Sequence, residues 1–169
     1  TASGALPAAM PLRPHQDRMP ARAKVITMKK VRVGINGFGR IGRQVFRALR
    51  QTYADRVEVV AINDLFDATT NFQLLEYDSV YGRAFLDAQV DGQEVKVGDW
   101  NIHCFAERDP HQLAWGQYDV DVVVESTGIF RKASQASVHM DNGAKKVIIT
   151  APAKEEDITI VMGVNHDQY

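Results

Sequence analysis

The stretch Val31-Arg-Val-Gly-Ile-Asn-Gly-Phe-Gly-Arg-Ile-Gly42 combines three features in a fixed order. Its first six residues alternate and include β-branched side chains, which predicts a short buried strand. Gly37, Gly39 and Gly42 form a G-x-G-x-x-G pattern, and apolar residues recur at helical spacing from Gly39 to Ala54. In this order the first glycine permits a tight turn, the second lets the backbone approach a pyrophosphate, and the third lets helix and strand pack closely. The stretch therefore predicts a dinucleotide-binding loop.

An acidic residue follows at the position expected for contact with a ribose. Asp64 stands 22 residues after Gly42, directly after a second predicted strand, 57–62. A carboxylate there accepts hydrogen bonds from ribose hydroxyls and repels a 2′-phosphate. Leu65 carries no charge that would offset this repulsion, so NAD is predicted in preference to NADP. The alternative is that the glycines only shape a turn and that Asp64 only caps a loop.

Strands continue to alternate with helices along the rest of the chain. The sequence predicts a helix over 67–77 with Asp67 as its N-cap, and a type I′ hairpin turn at Asp91-Gly92. Further predicted elements are strands at 102–105, 120–124, 147–150 and 158–161, and a helix over 131–142 that is closed by Gly143. This order predicts an α/β fold, with a doubly wound, mostly parallel sheet of the Rossmann type and an antiparallel hairpin excursion.

The composition excludes several classes of protein. The 169 residues include 20 Lys and Arg against 21 Asp and Glu, so no overall charge favours binding to nucleic acid or to a membrane surface. The single cysteine cannot form a disulfide within its own chain. No run of about 18 uncharged apolar residues occurs that would form a transmembrane helix. We expect a cytoplasmic protein that binds neither nucleic acid nor membrane.

The first residues differ from the rest of the chain. Residues 1–30 hold six basic residues, one acidic residue and four of the six prolines. Such a segment buries too little apolar area to offset its conformational entropy, so residues 1–28 are predicted to be a disordered extension. A transit peptide is the alternative, although the prolines would interrupt an amphipathic helix. Residues 29–169 are predicted to form the cofactor-binding domain.

Longer stretches of sequence extend the glycine loop in a consistent order. They are Val33-Gly-Ile-Asn-Gly-Phe-Gly-Arg-Ile-Gly-Arg43, Ala61-Ile-Asn-Asp64, Tyr77-Asp-Ser-Val-Tyr-Gly-Arg83, Glu107-Arg-Asp-Pro110, Glu125-Ser-Thr-Gly-Ile-Phe130, Gly143-Ala-Lys-Lys146, Ala151-Pro-Ala-Lys154 and Met162-Gly-Val-Asn165. Together they closely resemble the phosphorylating glyceraldehyde-3-phosphate dehydrogenases over roughly residues 29–169. The erythrose-4-phosphate dehydrogenases share the glycine loop, but Asn63-Asp64-Leu65 and 151–154 fit the glyceraldehyde enzymes better. Tyr81 departs from the pattern, because a His is common there.

The resemblance implies a set of contacts to NAD. Arg40 and Ile41 would donate backbone N–H groups to the pyrophosphate, Asn36, Gly37, Phe38 and Gly39 would line the turn, and Asp64 would bind the ribose. Arg108 would lie near the adenine, Thr127 and Gly128 beside the nicotinamide half with Phe130 close by, and Thr150 near the cofactor. These positions follow the carboxyl ends of predicted parallel strands, where open α/β sheets bind their ligands.

The resemblance also implies a reaction and an oligomer. The family uses a thiolate nucleophile and a His base to convert glyceraldehyde 3-phosphate, NAD and phosphate to 1,3-bisphosphoglycerate and NADH, as a homotetramer. Its Ser-x-x-Cys-Thr-Thr-Asn motif is expected beyond Tyr169, so this chain alone is expected to bind NAD without catalysis, and neither catalytic residues nor metal ligands are predicted within it. The alternatives are a non-catalytic nucleotide-binding or interaction module, and a fragment of an erythrose-4-phosphate dehydrogenase.

The remaining reactive side chains are predicted to be structural. Cys104, the only thiol, is expected to be a small buried apolar residue on a strand, with His103 facing the opposite side. His166 is expected at the surface, and the acidic residues Asp119, Asp121 and 155–157 are expected to be solvated loop charges.

Overall fold

The computed structural model describes residues 29–169 of the chain. The predictions of a disordered extension or a transit peptide concern residues 1–28 and lie outside the described residues. The elements are β1 (Val31–Asn36), α1 (Arg40–Thr52), β2 (Val57–Asn63), α2 (Ala68–Glu76), β3 (Tyr77–Asp78), β4 (Gly82–Arg83), β5 (Ala88–Asp91), β6 (Glu94–Val97), β7 (Trp100–Phe105), β8 (Val122–Glu125), α3 (Ala133–Ala136), α4 (Val138–Asp141) and β9 (Lys146–Ile149). Short 3₁₀ helices span Pro110–Gln112, Trp115–Tyr118 and His166–Gln168.

Seven of the strands form one sheet in the order β5-β6-β7-β2-β1-β8-β9. The five strands from β7 to β9 are parallel, and β5 and β6 add an antiparallel edge. This arrangement confirms the predicted Rossmann-type α/β fold. The chain runs outward from β1 through β2 to β7, and then returns to β8 on the other side of β1. The order of the strands therefore reverses between β1 and β8, where open sheets of this class bind ligands.

Both faces of the central strands β1, β2 and β8 are covered, as in a doubly wound fold. On one face, α1 and α2 contribute Phe46 and Phe72 to a core that also contains Trp100. The Phe46 ring meets those of Phe72 and Trp100 edge to face, with centroids 5.9 and 5.4 Å apart. The other face holds a smaller core around Leu113 and Trp115. Among residues 29–169, no helix has the length and apolar character needed to cross a membrane.

The ends of two helices agree with the sequence signals. Asp67 is the N-cap of α2, and its carboxylate accepts a hydrogen bond from the Thr70 N–H at 2.8 Å. This hydrogen bond is the largest cause of the lowered pKa of Asp67. Gly143 follows the C-cap of α4 with a φ of +105°, the left-handed backbone that a glycine adopts without strain.

The hairpin turn differs from the type predicted. Asp91 pairs with Glu94, so the two loop residues are Gly92 and Gln93 rather than Asp91 and Gly92. Gly92 has a φ of +59°, whereas Gln93 does not share a positive φ. A type I′ turn needs positive φ at both loop residues, so the type I′ prediction was wrong. The glycine instead occupies the first loop position.

Two predicted elements are broken or missing. The helix expected over 131–142 is divided at Ser137 into α3 and α4, and the Ser137 hydroxyl donates to the Ser134 carbonyl at 3.0 Å. The strand expected over 158–161 does not form. There the Asn165 side chain accepts from the Val161 N–H at 2.7 Å and donates to the Thr159 carbonyl at 2.9 Å, so it occupies backbone groups that a sheet would use.

Candidate functional site

The glycine turn connects β1 to α1 and packs against the end of β8. Gly37 has a φ of +87°, and a Cβ added there would lie 2.6 Å from the Thr127 backbone nitrogen. A Cβ added at Gly42 would lie 2.2 Å from the Gly37 carbonyl oxygen, so the helix approaches the turn as closely as a glycine allows. Both glycines therefore hold the backbone in place, in agreement with the roles expected from the sequence.

The start of α1 is open to a ligand. Gly39 is the N-cap, no side chain caps the helix, and no atom lies within 4 Å of a Cβ added at Gly39. The N–H of Arg43 makes the first helical bond, to the Gly39 carbonyl at 3.0 Å, so the N–H groups of Arg40 and Ile41 have no acceptor within the helix. Unpaired N–H groups and the positive end of the helix dipole favour an anion.

Asp64 joins the loop after β2 to the glycine turn. One of its carboxylate oxygens accepts a hydrogen bond from the Phe38 N–H at 2.8 Å, and the other accepts from the Phe66 N–H at 3.1 Å. These two bonds fix the side chain at the carboxyl end of β2. Each carboxylate oxygen accepts one of these bonds and has acceptor capacity for a further donor, such as a hydroxyl group of a ligand.

Two residues of the predicted turn direct their side chains away from the crevice. Phe38 is fully buried with its ring packed against Phe46 and Phe72, so its side chain does not face the crevice. The Asn36 side chain is also buried, and its nitrogen donates to the Glu125 carboxylate at 2.6 Å. Asn36 thus supports the turn from below and leaves contact with a ligand to the glycines.

The turn after β8 lies on the other side of the crevice. Thr127 donates its N–H to the Glu125 carboxylate at 2.8 Å, and its hydroxyl makes a second hydrogen bond to the same oxygen. Gly128 is exposed, with a φ of +74° and open space around the position of a Cβ. Phe130 is half-buried and lines an open cleft between the Pro110–Gln112 helix and the α3–α4 segment.

Arg108 and Thr150 lie towards opposite sides of the same edge. Arg108 is exposed in the loop after β7, and this loop is anchored by Asn63, which exchanges two hydrogen bonds of 2.9 Å with the Glu107 backbone. Thr150 follows β9 and donates its N–H and its hydroxyl to the Glu125 carbonyl at 3.0 and 3.2 Å. The predicted residues therefore gather at the carboxyl ends of five neighbouring parallel strands.

A dinucleotide fits the residues of this edge. Besides the open space at Gly39, the Ser126 hydroxyl is buried beside the Gly37 turn, without a hydrogen-bond partner among the described residues. A tight turn, an uncapped helix start and a carboxylate on the next strand supply the donors and acceptor that a pyrophosphate and a ribose require.

The other reactive side chains do not form a catalytic centre among residues 29–169. Burial raises the pKa of the Cys104 thiol to about 12, with a further contribution from the Glu94 carboxylate, so this thiol is not an activated nucleophile. His103 makes a hydrogen bond of 2.6 Å with Glu94. His166 is exposed, in agreement with its expected place at the surface. No group of three or more His, Cys, Asp or Glu side chains within the described residues is arranged to hold a metal ion.

One predicted loop charge has a structural role instead. Asp121 is half-buried, accepts from the Arg32 N–H at 2.9 Å and pairs with Lys145, and these bonds lower its pKa, with Lys145 the larger cause. It joins the start of β1 to the start of β9, so the expectation of a solvated Asp121 was wrong. Asp119 and residues 155–157 are exposed.

Sequence reasoning assigned no role to the buried polar residues beneath the site. Asn63, Glu125 and His139 are each 5% exposed or less. A signal was present, since Glu125 ends the apolar strand Val122-Val-Val-Glu125 and Asn63 ends β2. A polar residue that continues a buried strand needs hydrogen-bond partners in the folded protein.

Comparisons with known proteins agree with this geometry. The family described as "Glyceraldehyde 3-phosphate dehydrogenase, NAD binding domain" matches residues 31–133. The glyceraldehyde-3-phosphate dehydrogenase of Geobacillus stearothermophilus is 59% identical over 139 residues, and those of Priestia megaterium and Bacillus subtilis are 58% identical over the same length. Each alignment covers 82% of this chain and 41% of the relative, so the chain spans about two fifths of the relatives it matches. The chain belongs to the glyceraldehyde-3-phosphate dehydrogenase family, and the part that matches is its NAD-binding domain.

Proposed function

We propose that this chain supplies the NAD-binding part of an oxidoreductase that converts glyceraldehyde 3-phosphate, NAD and phosphate to 1,3-bisphosphoglycerate and NADH. The observation that carries the proposal is the meeting of two turns, at Gly37 and at Thr127, where the strand order reverses. The family match and the names of the similar proteins favour this reaction over that of an erythrose-4-phosphate dehydrogenase. We assign residues 29–169 to one domain, in a cytoplasmic protein that acts as a homotetramer.

The pyrophosphate would bind at the start of α1. The N–H groups of Arg40 and Ile41 would donate to its oxygens, and Gly39 leaves room for the phosphate to approach the backbone. The Ser126 hydroxyl, which has no partner among the described residues, lies beside the same turn. The affinity would then come from backbone groups that are already in place before the ligand arrives.

The adenosine half would bind on the β2 side of the turn. Asp64 would accept hydrogen bonds from the ribose hydroxyls while the Phe38 and Phe66 N–H groups keep its carboxylate in position. The same carboxylate would face the negative charge of a 2′-phosphate, so NADP would bind less well. Arg108, in the loop after β7, would lie near the adenine.

The nicotinamide half would bind on the β8 side, where bound NAD supplies the acceptor for a hydride. Thr127 and Gly128 would line this part of the crevice, Phe130 would lie close by, and Thr150 would limit the crevice from β9. In this arrangement the chain would orient the ring, and the oxidised substrate would approach from outside the sheet.

The thiolate that the reaction needs is not available in residues 29–169, since Cys104 is buried and its pKa is raised. We therefore propose that the nucleophile, the base and the groups that bind the substrate phosphate lie in other parts of the protein. A non-catalytic nucleotide-binding role for the 169-residue chain by itself is the second candidate, and the protonated Cys104 favours it.

Calorimetric titration with NAD and NADP tests the cofactor assignment, and we expect the wild type to bind NADP less well than NAD. The variant Asp64→Asn removes the charge that would bind the ribose, and we expect about tenfold to a hundredfold weaker NAD binding, in the range of a charge-assisted hydrogen bond. The matched control Asp91→Asn changes an exposed carboxylate at the hairpin and leaves the affinity unchanged. Equal NAD affinity in both variants would contradict the assignment.

A dehydrogenase assay separates the two candidate functions. The 169-residue chain, supplied with glyceraldehyde 3-phosphate, NAD and phosphate, is expected to produce no NADH, whereas protein from the complete coding sequence is expected to turn over. Turnover by the 169-residue chain would refute the placement of the nucleophile outside it. A complete protein that binds NAD but does not turn over would support the non-catalytic role.

A further inference from the structure

A row of buried polar side chains runs beneath the carboxyl edge of the sheet. Asn63, at the end of β2, donates to the Asn36 side-chain oxygen at 2.8 Å, and Asn36 donates to Glu125 at 2.6 Å. Glu125 accepts a further bond from His139 at 3.0 Å, and His139 in turn accepts one from the Trp115 indole at 3.1 Å. We call these five residues the buried polar row. It joins the loop after β7 to helix α4.

The carboxyl group of Glu125 takes part in four hydrogen bonds. One oxygen accepts from Asn36 and His139, and the other accepts from the N–H and the hydroxyl of Thr127. An ionised carboxylate offers about four acceptor positions, and all of them are used here. An amide in the same place would turn its NH₂ group towards at least one group that can only donate, so at least one of the four bonds would be lost.

Trp115 determines which nitrogen of His139 carries the proton. An indole N–H only donates, so Nδ1 of His139, 3.1 Å away, must accept and carries no proton. The proton of the neutral ring therefore lies on Nε2, which donates to Glu125. The side chains that bond to Glu125 are thus all neutral.

The buried polar row holds two backbone segments beside the crevice, the turn after β8 and the loop after β7. On the β8 side, both hydrogen bonds from Thr127 go to one oxygen of Glu125, and the Ile129 N–H bonds back to the Thr127 hydroxyl at 3.1 Å. Nothing packs on the outside of Gly128 among the described residues, so the turn is held from below. On the β2 side, Asn63 holds the Glu107 backbone next to Arg108.

We propose that Glu125 and His139 are positioning residues that hold the Thr127–Gly128 turn in the conformation that accepts the nicotinamide half of NAD, an inference that rests on the proposed function. Neither side chain would touch the cofactor. Glu125 acts through Thr127, and His139 acts through Glu125 with the tautomer that Trp115 selects. Substitution of either residue therefore weakens mainly the binding of ligands that carry the nicotinamide.

The experiment compares NAD with ADP-ribose, which lacks the nicotinamide, in calorimetric titrations of protein from the complete coding sequence. For Glu125→Gln we expect NAD binding to weaken about tenfold, as for the loss of a buried hydrogen bond, and ADP-ribose binding to change by less than about twofold. For His139→Leu we expect the same selective loss. His139→Gln restores binding, because its amide can donate to Glu125 and accept from Trp115.

Substitutions at two buried tryptophans form a matched pair of variants in which no charged side chain is changed. Trp115→Phe removes the N–H that fixes the tautomer of His139, and we expect NAD binding to weaken about threefold to tenfold, with little change for ADP-ribose. Trp100→Phe removes an equally buried N–H that has no partner among the described residues, and it leaves both affinities unchanged. This pair remains informative if Glu125→Gln does not fold.

Three outcomes would overturn the proposal. Equal weakening of NAD and ADP-ribose would assign the buried polar row a purely structural role. Unchanged NAD binding in folded Glu125→Gln or Trp115→Phe would show that the buried polar row does not position the site. Wild-type protein that binds ADP-ribose and NAD equally weakly, or neither of them, would refute the proposed function itself, and this inference with it.

Discussion

Buried polar groups have different partners in two regions of the sheet, the carboxyl edge between β1 and β8 and the region of the antiparallel strands. At the carboxyl edge between β1 and β8, Asn36, Glu125 and His139 are buried with hydrogen-bond partners for their side chains. On the side of the antiparallel strands, the Trp100 indole N–H has no partner among the described residues, and Cys104 is buried as a neutral thiol. The paired groups at the carboxyl edge hold the backbone of the loops around the crevice. Trp100 and Cys104 are held in the core by apolar packing.

The largest effect is expected from a comparison of two glycines. Gly42→Ala would place a methyl group 2.2 Å from a backbone carbonyl oxygen that cannot move aside, and we expect a loss of about 3 kcal/mol in the free energy of unfolding. Gly39→Ala meets open space and a permissive φ of −71°, so it costs less than about 1 kcal/mol but weakens NAD binding.

Thermal unfolding and NAD titration of both glycine variants separate these roles. The melting temperature is expected to fall by about 10 °C for Gly42→Ala and to change little for Gly39→Ala. Equal melting temperatures would show that close packing of α1 on the turn does not stabilise the fold. Unchanged NAD affinity in Gly39→Ala would show that the phosphate does not approach there.

The thiol on the antiparallel side should be inert. Because burial raises the pKa of Cys104 to about 12, the thiolate at pH 8 is about a thousandfold rarer than for an exposed cysteine. We expect iodoacetamide to modify Cys104 very slowly in the folded protein and readily in guanidinium chloride, as measured by mass spectrometry of the peptide. Rapid modification of the folded protein would mean that Cys104 is accessible and could serve as a nucleophile.

The smallest effect concerns Asp99, at the turn between β6 and β7. Hydrogen bonds from Arg50 and then Lys30 lower the pKa of Asp99 to about 2 from 3.8. A lowered pKa contributes stability above the ordinary pKa, and this contribution disappears as the pH falls through the folded value. Because Asp99 is largely exposed, we expect Asp99→Asn to cost less than about 1 kcal/mol at pH 7.

Urea unfolding at several pH values checks the contribution of Asp99. The difference between wild type and Asp99→Asn should be constant above about pH 5 and should decrease progressively as the pH falls from there through the folded pKa of about 2. A difference that is as large at about pH 2.5 as at pH 7 would mean that the side chain acts through its packing and not through its charge.

The sequence was sufficient to predict the fold and most of the helix boundaries. Alternation of strands and helices and the glycine spacing are local signals, and the Asp67 cap and Gly143 are local as well. The broken helix and the missing strand depend on side-chain hydrogen bonds to nearby backbone groups, which compete with regular structure. The segment 158–161 has strand-forming residues, but the Asn165 side chain takes its backbone hydrogen bonds instead.

The site was predictable only in part for a different reason, because some of its contacts join segments that are distant in sequence. Glycines and Asp64 have roles that follow from backbone geometry, whereas the partners of Glu125 come from β1 and α4, far away in sequence. Likewise, Asp121 was expected in solvent because its partners, Arg32 and Lys145, come from two other segments. No local pattern specifies such pairings.

A crystal structure of the protein soaked with NAD tests the central claim most directly. We predict that the pyrophosphate will accept hydrogen bonds from the N–H groups of Arg40 and Ile41, and that the adenosine ribose hydroxyls will donate to Asp64. An empty crevice at saturating NAD, or a 2′-phosphorylated dinucleotide bound against Asp64, would contradict the account.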